Sequence, residues 1–243
     1  MSASPTSSSR AAPATATASP AERLFSLSGL VPLGAFLVAH LWMQSRVLFG
    51  PRPFGSAAPN ALLVVLDVAL VLAPLFFHAA YGAFLTVKRR SLASPRPYPR
   101  PVAILMRITG VVALLFVIAH VYTARVTFAG ARGADLESVL APLLSGTTVG
   151  APLVAIGYMV GLASVTFHFA VGVWGFFAQR SAGTRRVVAY ACGAAGLAAF
   201  VVGANVVTYL ATGTRLVGHD SITPISLDAA PCVVASAAPS ASN

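Results

Sequence analysis

Five long apolar runs constrain this chain more than anything else in it. They lie at about 24–46, 57–87, 101–125, 149–178 and 187–213. Crossing a bilayer as a helix takes roughly 20 apolar residues, so each run is long enough to span. Across the chain 57% of residues are hydrophobic and 9% are charged. A soluble domain carries about 25% charged residues. With so few charges the chain cannot cover a water-facing surface, which excludes a soluble globular protein and a disordered one. No strand-like alternation of a membrane barrel is present, and a helix satisfies its own backbone hydrogen bonds in lipid. The expected fold is an all-α membrane protein, a bundle of five transmembrane helices over 23–213.

Residues 1–22 are mostly Ser, Ala, Thr and Pro, and 214–243 ends AAPSASN. Both are expected to be disordered tails, with His219 an ordinary exposed histidine. The net charge of +10 sits between the apolar runs, as in the joining segment KRRSLASPRPYPR at 88–100. Basic membrane loops, not nucleic-acid binding, account for it. Arg10, Arg23, Lys88, Arg89, Arg90, Arg96, Arg100, Arg107, Arg180, Arg185 and Arg186 share one side; Arg46, Arg52, Arg125, Arg132 and Arg215 share the other. Eleven against five places the N-terminus in the cytoplasm and the C-terminus outside, in a multi-pass inner-membrane protein. Cys192 and Cys232, the two cysteines, then lie on opposite sides and form neither a disulfide scaffold nor a metal site.

Four of the five histidines fall inside the apolar runs, one on each of the first four: His40, His78, His120 and His168. Histidine is costly within a bilayer and marks function there. His40 precedes Arg46 by six residues and His120 precedes Arg125 by five, so both lie near the outer side. His78 precedes Lys88 by ten and His168 precedes Arg180 by twelve, in the inner half. The expectation is two layers, His40 with His120 and His78 with His168. An imidazole pair on facing helices suits a bis-histidine haem, with apolar helices burying the porphyrin. Two such haems would stand on the order of 10–15 Å apart across a core about 30 Å thick. They would be b-type, because no CxxCH is present to attach a c-type haem.

The flanking residues repeat in the same pairs. SLSGLVPLGAFLVAH and RITGVVALLFVIAH both carry a hydroxyl residue followed by Gly and both end in Ala-His. FFHAAYG and TFHFAVG both place Gly four residues after His. Gly82 and Gly172 therefore share a face with His78 and His168 and leave room where a macrocycle would approach. Small residues also serve ordinary helix packing, and a single membrane histidine also serves as an interhelical hydrogen-bond group. Pro32 and Pro74 are expected to kink their helices, and Trp42, Tyr122 and Trp174 to anchor helix ends at the interface.

RLFSLSGLVPLGAFLVAHLWMQ at 23–44 resembles the first helix of the cytochrome b membrane anchor of succinate:quinone oxidoreductases, in its single-chain, five-helix, di-haem form, which also occurs in fumarate reductases. The resemblance spans about 23–212. It implies that His40 and His120 ligate the haem distal to the catalytic subunits, and His78 and His168 the proximal one. It implies a flavoprotein with covalent FAD and an iron–sulfur protein as cytoplasmic partners, and electron delivery to menaquinone in the membrane. This chain has neither a GxGxxG unit nor a cysteine cluster of its own, so it would carry electrons and handle quinone. Thr166 stands where the fumarate reductase branch has a glutamate assigned to a proton route, which leans the expectation towards succinate oxidation.

Asp67 is the one acid within the apolar runs. It precedes His78 by eleven residues, on the same helix face and roughly 16 Å away, at the level of His40 and His120. There it is expected to exchange protons with a quinone, with Gln44, four residues after His40, contacting the quinone carbonyl. The plainer reading pairs Asp67 with Arg46 or Arg52. Two alternatives stand beside the main expectation, the first within the same class and the second from another. One is the cytochrome b of a hydrogenase or formate dehydrogenase; the other is a haem-free channel or transporter.

Overall fold

The computed structural model describes residues 19–50, 61–88, 99–131, 133–147, 151–177 and 182–218. Helix α1 (Pro20–Leu30) starts before the expected end of the N-terminal tail. The reason is a capping box. Ser19 N–H donates to Glu22 Oε2 at 2.8 Å, Glu22 N–H donates to Ser19 Oγ at 3.3 Å, and Pro20 opens the helix. Residues 19–22, expected in the tail, thus belong to the capped start of the helix. Pro32 separates α1 from α2 (Pro32–Ser45), yet Val31 N–H still donates to Leu27 O at 2.9 Å. The break is a kink, and α1, α2 and a short 3₁₀ turn form one span, Pro20–Phe49.

The second span contains α3 (Ala61–Asp67), a π turn over Val68–Leu72, and α4 (Ala73–Val87). The widened turn lies just ahead of Pro74, whose ring would otherwise meet the carbonyl one turn back. The third span is α5 (Arg100–Tyr122), continued by a second π turn, Thr123–Thr127. Next comes α6 (Leu136–Ser145), a short apolar helix within a segment read from the sequence only as a connection. At ten residues it is too short to cross a bilayer, and it packs Leu136, Ala141 and Leu144 inward. The fourth and fifth spans are α7 (Leu153–Phe177) and α8 (Ala182–Thr212). The described residues thus contain five helices long and apolar enough to cross a membrane.

Helix α8 ends at Gly213, whose φ of 73° is left-handed, and Gly213 N–H donates to Tyr209 O at 2.8 Å. The chain then folds back. Buried Asn205 accepts from Leu216 N–H at 2.7 Å and from Val217 N–H at 3.3 Å, and donates to Val217 O at 2.9 Å. Residues 214–218 are therefore ordered by α8, a correction to the expected tail. His219 and Cys232 lie outside the described residues, and Cys192 is a free thiol.

Helix α7 is central, packed along α8 on one side and α5 on another. Close approach uses small residues: a methyl built on Gly196 would lie 2.8 Å from Ala170 Cβ, and one on Gly203 2.7 Å from Leu162. The best-buried cluster, including Val47, Leu48, Leu136, Leu144 and Leu210, gathers where α6 and the end of the first span meet α8. Phe76, Leu115 and Leu197 are exposed, as lipid-facing residues are. Helix α4 packs on α1, and α5 on α7. The helices that carry the expected histidine pairs, α2 with α5 and α4 with α7, are not among the close-packed pairs. Imidazole rings, not backbones, meet between them.

Candidate functional site: two histidine pairs

His78 on α4 and His168 on α7 face each other with ring centres 6.3 Å apart and planes at 87°. Each ring is tied by Nδ1 to a backbone carbonyl of another span. His78 Nδ1 lies 3.2 Å from Phe25 O, with Ser28 Oγ at 3.4 Å, and His168 Nδ1 lies 3.1 Å from Met106 O. Phe25 and Met106 each precede the hydroxyl–glycine doublet (Ser28-Gly29, Thr109-Gly110) by three residues, so the two anchors are built alike. Ser28 and Thr109 also donate to these carbonyls, at 2.8 and 3.3 Å. The Phe25 ring stacks on His78 at 4.4 Å and 13°.

His40 on α2 and His120 on α5 form the second pair, with ring centres 5.8 Å apart and planes at 84°. Phenylalanine rings and a tyrosine hydroxyl lie against these imidazoles. Phe36 stacks on His40 at 5.3 Å, and Phe116 on His120 at 5.6 Å, each from one turn earlier in its own helix. His120 Nδ1 lies 3.3 Å from the Tyr158 hydroxyl on α7. Gly161 lies under the Phe116 ring, which leaves no room for a side chain there.

These separations fit one iron between each pair. Two metal–imidazole bonds of about 2 Å in line put the ring centres about 6 Å apart. A backbone carbonyl at Nδ1, as at His78 and His168, makes that nitrogen the N–H donor and leaves the Nε2 lone pair for a metal. Among the described residues no group of three or more His, Cys, Asp or Glu side chains gathers to hold a metal alone. Two ligands suffice when a porphyrin supplies the rest.

The chain is 33% identical to the succinate dehydrogenase cytochrome b558 subunit of Bacillus subtilis (strain 168) over 160 residues, 63% of this chain and 76% of that one. This chain belongs to the succinate dehydrogenase cytochrome b family. No family model and no solved structure matches it. Family membership sets aside the hydrogenase, formate dehydrogenase and channel alternatives. It makes the chain a multi-pass membrane subunit of a succinate dehydrogenase complex.

The other residues singled out in this cytochrome b subunit fall as follows. Asp67 forms an ion pair with Arg125, in the π turn that follows His120. The pairing expected with Arg46 or Arg52 is thus corrected to Arg125; Arg52 lies outside the described residues. The correction has a geometric cause, since Arg125 is carried by a different span and only packing brings it to Asp67. Asp67 itself immediately precedes the other π turn, so each partner lies in or next to a widened turn. Gln44 is half-buried, one turn beyond His40. Gly82 faces the Phe25 ring and Gly172 the Met106 side chain, where an added methyl would sit at 3.4 and 3.6 Å. Thr166 is buried and donates to Leu162 O at 2.9 Å. Sequence reasoning missed Phe25, Met106 and Tyr158 as supports; the repeated hydroxyl–glycine doublet was the available signal for the first two.

Proposed function

We propose that the chain binds two haem b groups, one between His40 and His120 and one between His78 and His168. In this reading it passes electrons from an iron–sulfur subunit to membrane quinone, menaquinone by family resemblance. The observation that carries the reading is the pair of imidazole couples at 5.8 and 6.3 Å. A bound haem b supplies a ferric–ferrous couple that relays one electron at a time. The chain's own residues do the rest. Phe25 O and Met106 O orient His78 and His168, Tyr158 orients His120, and the apolar spans keep water away.

The charge asymmetry of the loops supports a cytoplasmic N-terminus, with His78 and His168 on the side of the flavoprotein and iron–sulfur partners. Quinone would then react near His40 and His120. Asp67, held by Arg125, would exchange its protons there, and Gln44 would contact its carbonyl. The pyridine haemochrome assay on the purified complex tests the reading. Two haem b per chain is the expected result, and none would reject it.

A further inference from the structure

We infer that Gly29 and Gly110 are positioning residues that seat the imidazoles of His78 and His168, so that any side chain at either position unseats one haem and not the other. The inference rests on the two-haem reading. A methyl built on Gly29 would lie 2.6 Å from His78 Cε1 and 2.9 Å from Nδ1. One on Gly110 would lie 2.9 Å from His168 Cε1 and 3.2 Å from Nδ1. Both glycines lie inside helices, where alanine is the better helix former by about 1 kcal/mol, so local preference does not explain them.

Neither imidazole is free to give way. His78 is held at Nδ1 by Phe25 O, 3.2 Å away, and lies under the Phe25 ring at 4.4 Å. His168 is held at Nδ1 by Met106 O, 3.1 Å away. Each glycine follows the hydroxyl residue whose helix also supplies that carbonyl. One helical turn therefore provides both the anchor and the space for a ring on a neighbouring span. Gly82 and Gly172 give the contrast, since methyls there would meet Phe25 at 3.4 Å and Met106 at 3.6 Å, ordinary contact distances.

The test uses the complete complex in membranes, with Gly29→Ala, Gly110→Ala, Gly157→Ala and Gly193→Ala. Haem per chain, reduced-minus-oxidised spectra and redox titration are measured. The His78→Ala variant identifies which component belongs to the His78/His168 pair. Gly29→Ala and Gly110→Ala should each lose that component, or retain it with its reduction equilibrium displaced at least tenfold, about 59 mV for one electron. The other component should be unchanged, and Gly157→Ala and Gly193→Ala, where an added methyl meets nothing within 4 Å, should keep both. Loss of both components together, including failure of the chain to insert, or an unaltered pair in Gly29→Ala and Gly110→Ala, would overturn the inference. An effect at one glycine alone overturns the seat at the other. Wild-type complex without haem would instead overturn the two-haem reading.

Discussion

In the His78/His168 pair both imidazoles meet backbone carbonyls, whereas in the other pair His120 meets a tyrosine hydroxyl and both imidazoles stack on phenylalanines. Carbonyls of Phe25 and Met106, on the first and third spans, fix the first pair. The second pair relies on stacked Phe36 and Phe116 and on the Tyr158 hydroxyl. A backbone carbonyl is placed by the helix itself and cannot be removed by substitution; a tyrosine hydroxyl can. Five residues beyond His120, Arg125 lies in one π turn and pairs with Asp67, which immediately precedes the other. The contrast teaches that one pair takes main-chain anchors from two other spans, while the other takes a side-chain hydroxyl that substitution can remove.

The largest expected effect tests whether the layers are separate. His78→Ala and His168→Ala should each remove the same spectroscopic component and halve haem content; His40→Ala and His120→Ala should remove the other. If His40 and His78 variants lost the same component, the two-layer division would be wrong. Next comes Asp67→Asn. Succinate-to-quinone activity should fall at least tenfold, about 1.4 kcal/mol in transition-state stabilisation, while both haems and succinate-to-dye activity persist. Undiminished quinone reduction would remove the functional distinction between the layers.

Tyr158→Phe sharpens the comparison further. In the two-haem reading Nε2 would ligate iron and Nδ1–H would donate to the Tyr158 hydroxyl; losing that acceptor would make the imidazole a weaker donor to iron. The midpoint of the His40/His120 component should rise by less than about 59 mV, under a tenfold change, and the other component should stay put. A shift of the His78/His168 component instead would assign Tyr158 to the wrong layer. The smallest effect on either layer belongs to Asn205→Ala, far along α8. It should cost about 1–3 kcal/mol by unpairing Leu216 and Val217, read as lower thermal stability with unaltered spectra.

Much of this molecule is legible in its chain. Five apolar runs dictate five spans because lipid admits only segments that satisfy their own backbone bonds. Helical rise and the flanking basic residues assign His40, His78, His120 and His168 to two depths, and the rings meet in the two pairs expected on that ground. The start of α1 was readable too, in Ser19 and Glu22, once capping is weighed above composition.

What the tertiary structure decided are the contacts between spans. Tyr158 reaches a histidine 38 residues away, Arg125 reaches an aspartate 58 away, and Phe25 O reaches a ring 53 away. No periodicity within one helix encodes such pairs, because they depend on how helices rotate and tilt against each other. The same holds for the glycines. Sequence spacing singled out Gly82 and Gly172, which share a helix face with their histidines. Gly29 and Gly110 lie against histidines of other spans, and only the packing of α1 on α4 and of α5 on α7 brings them there.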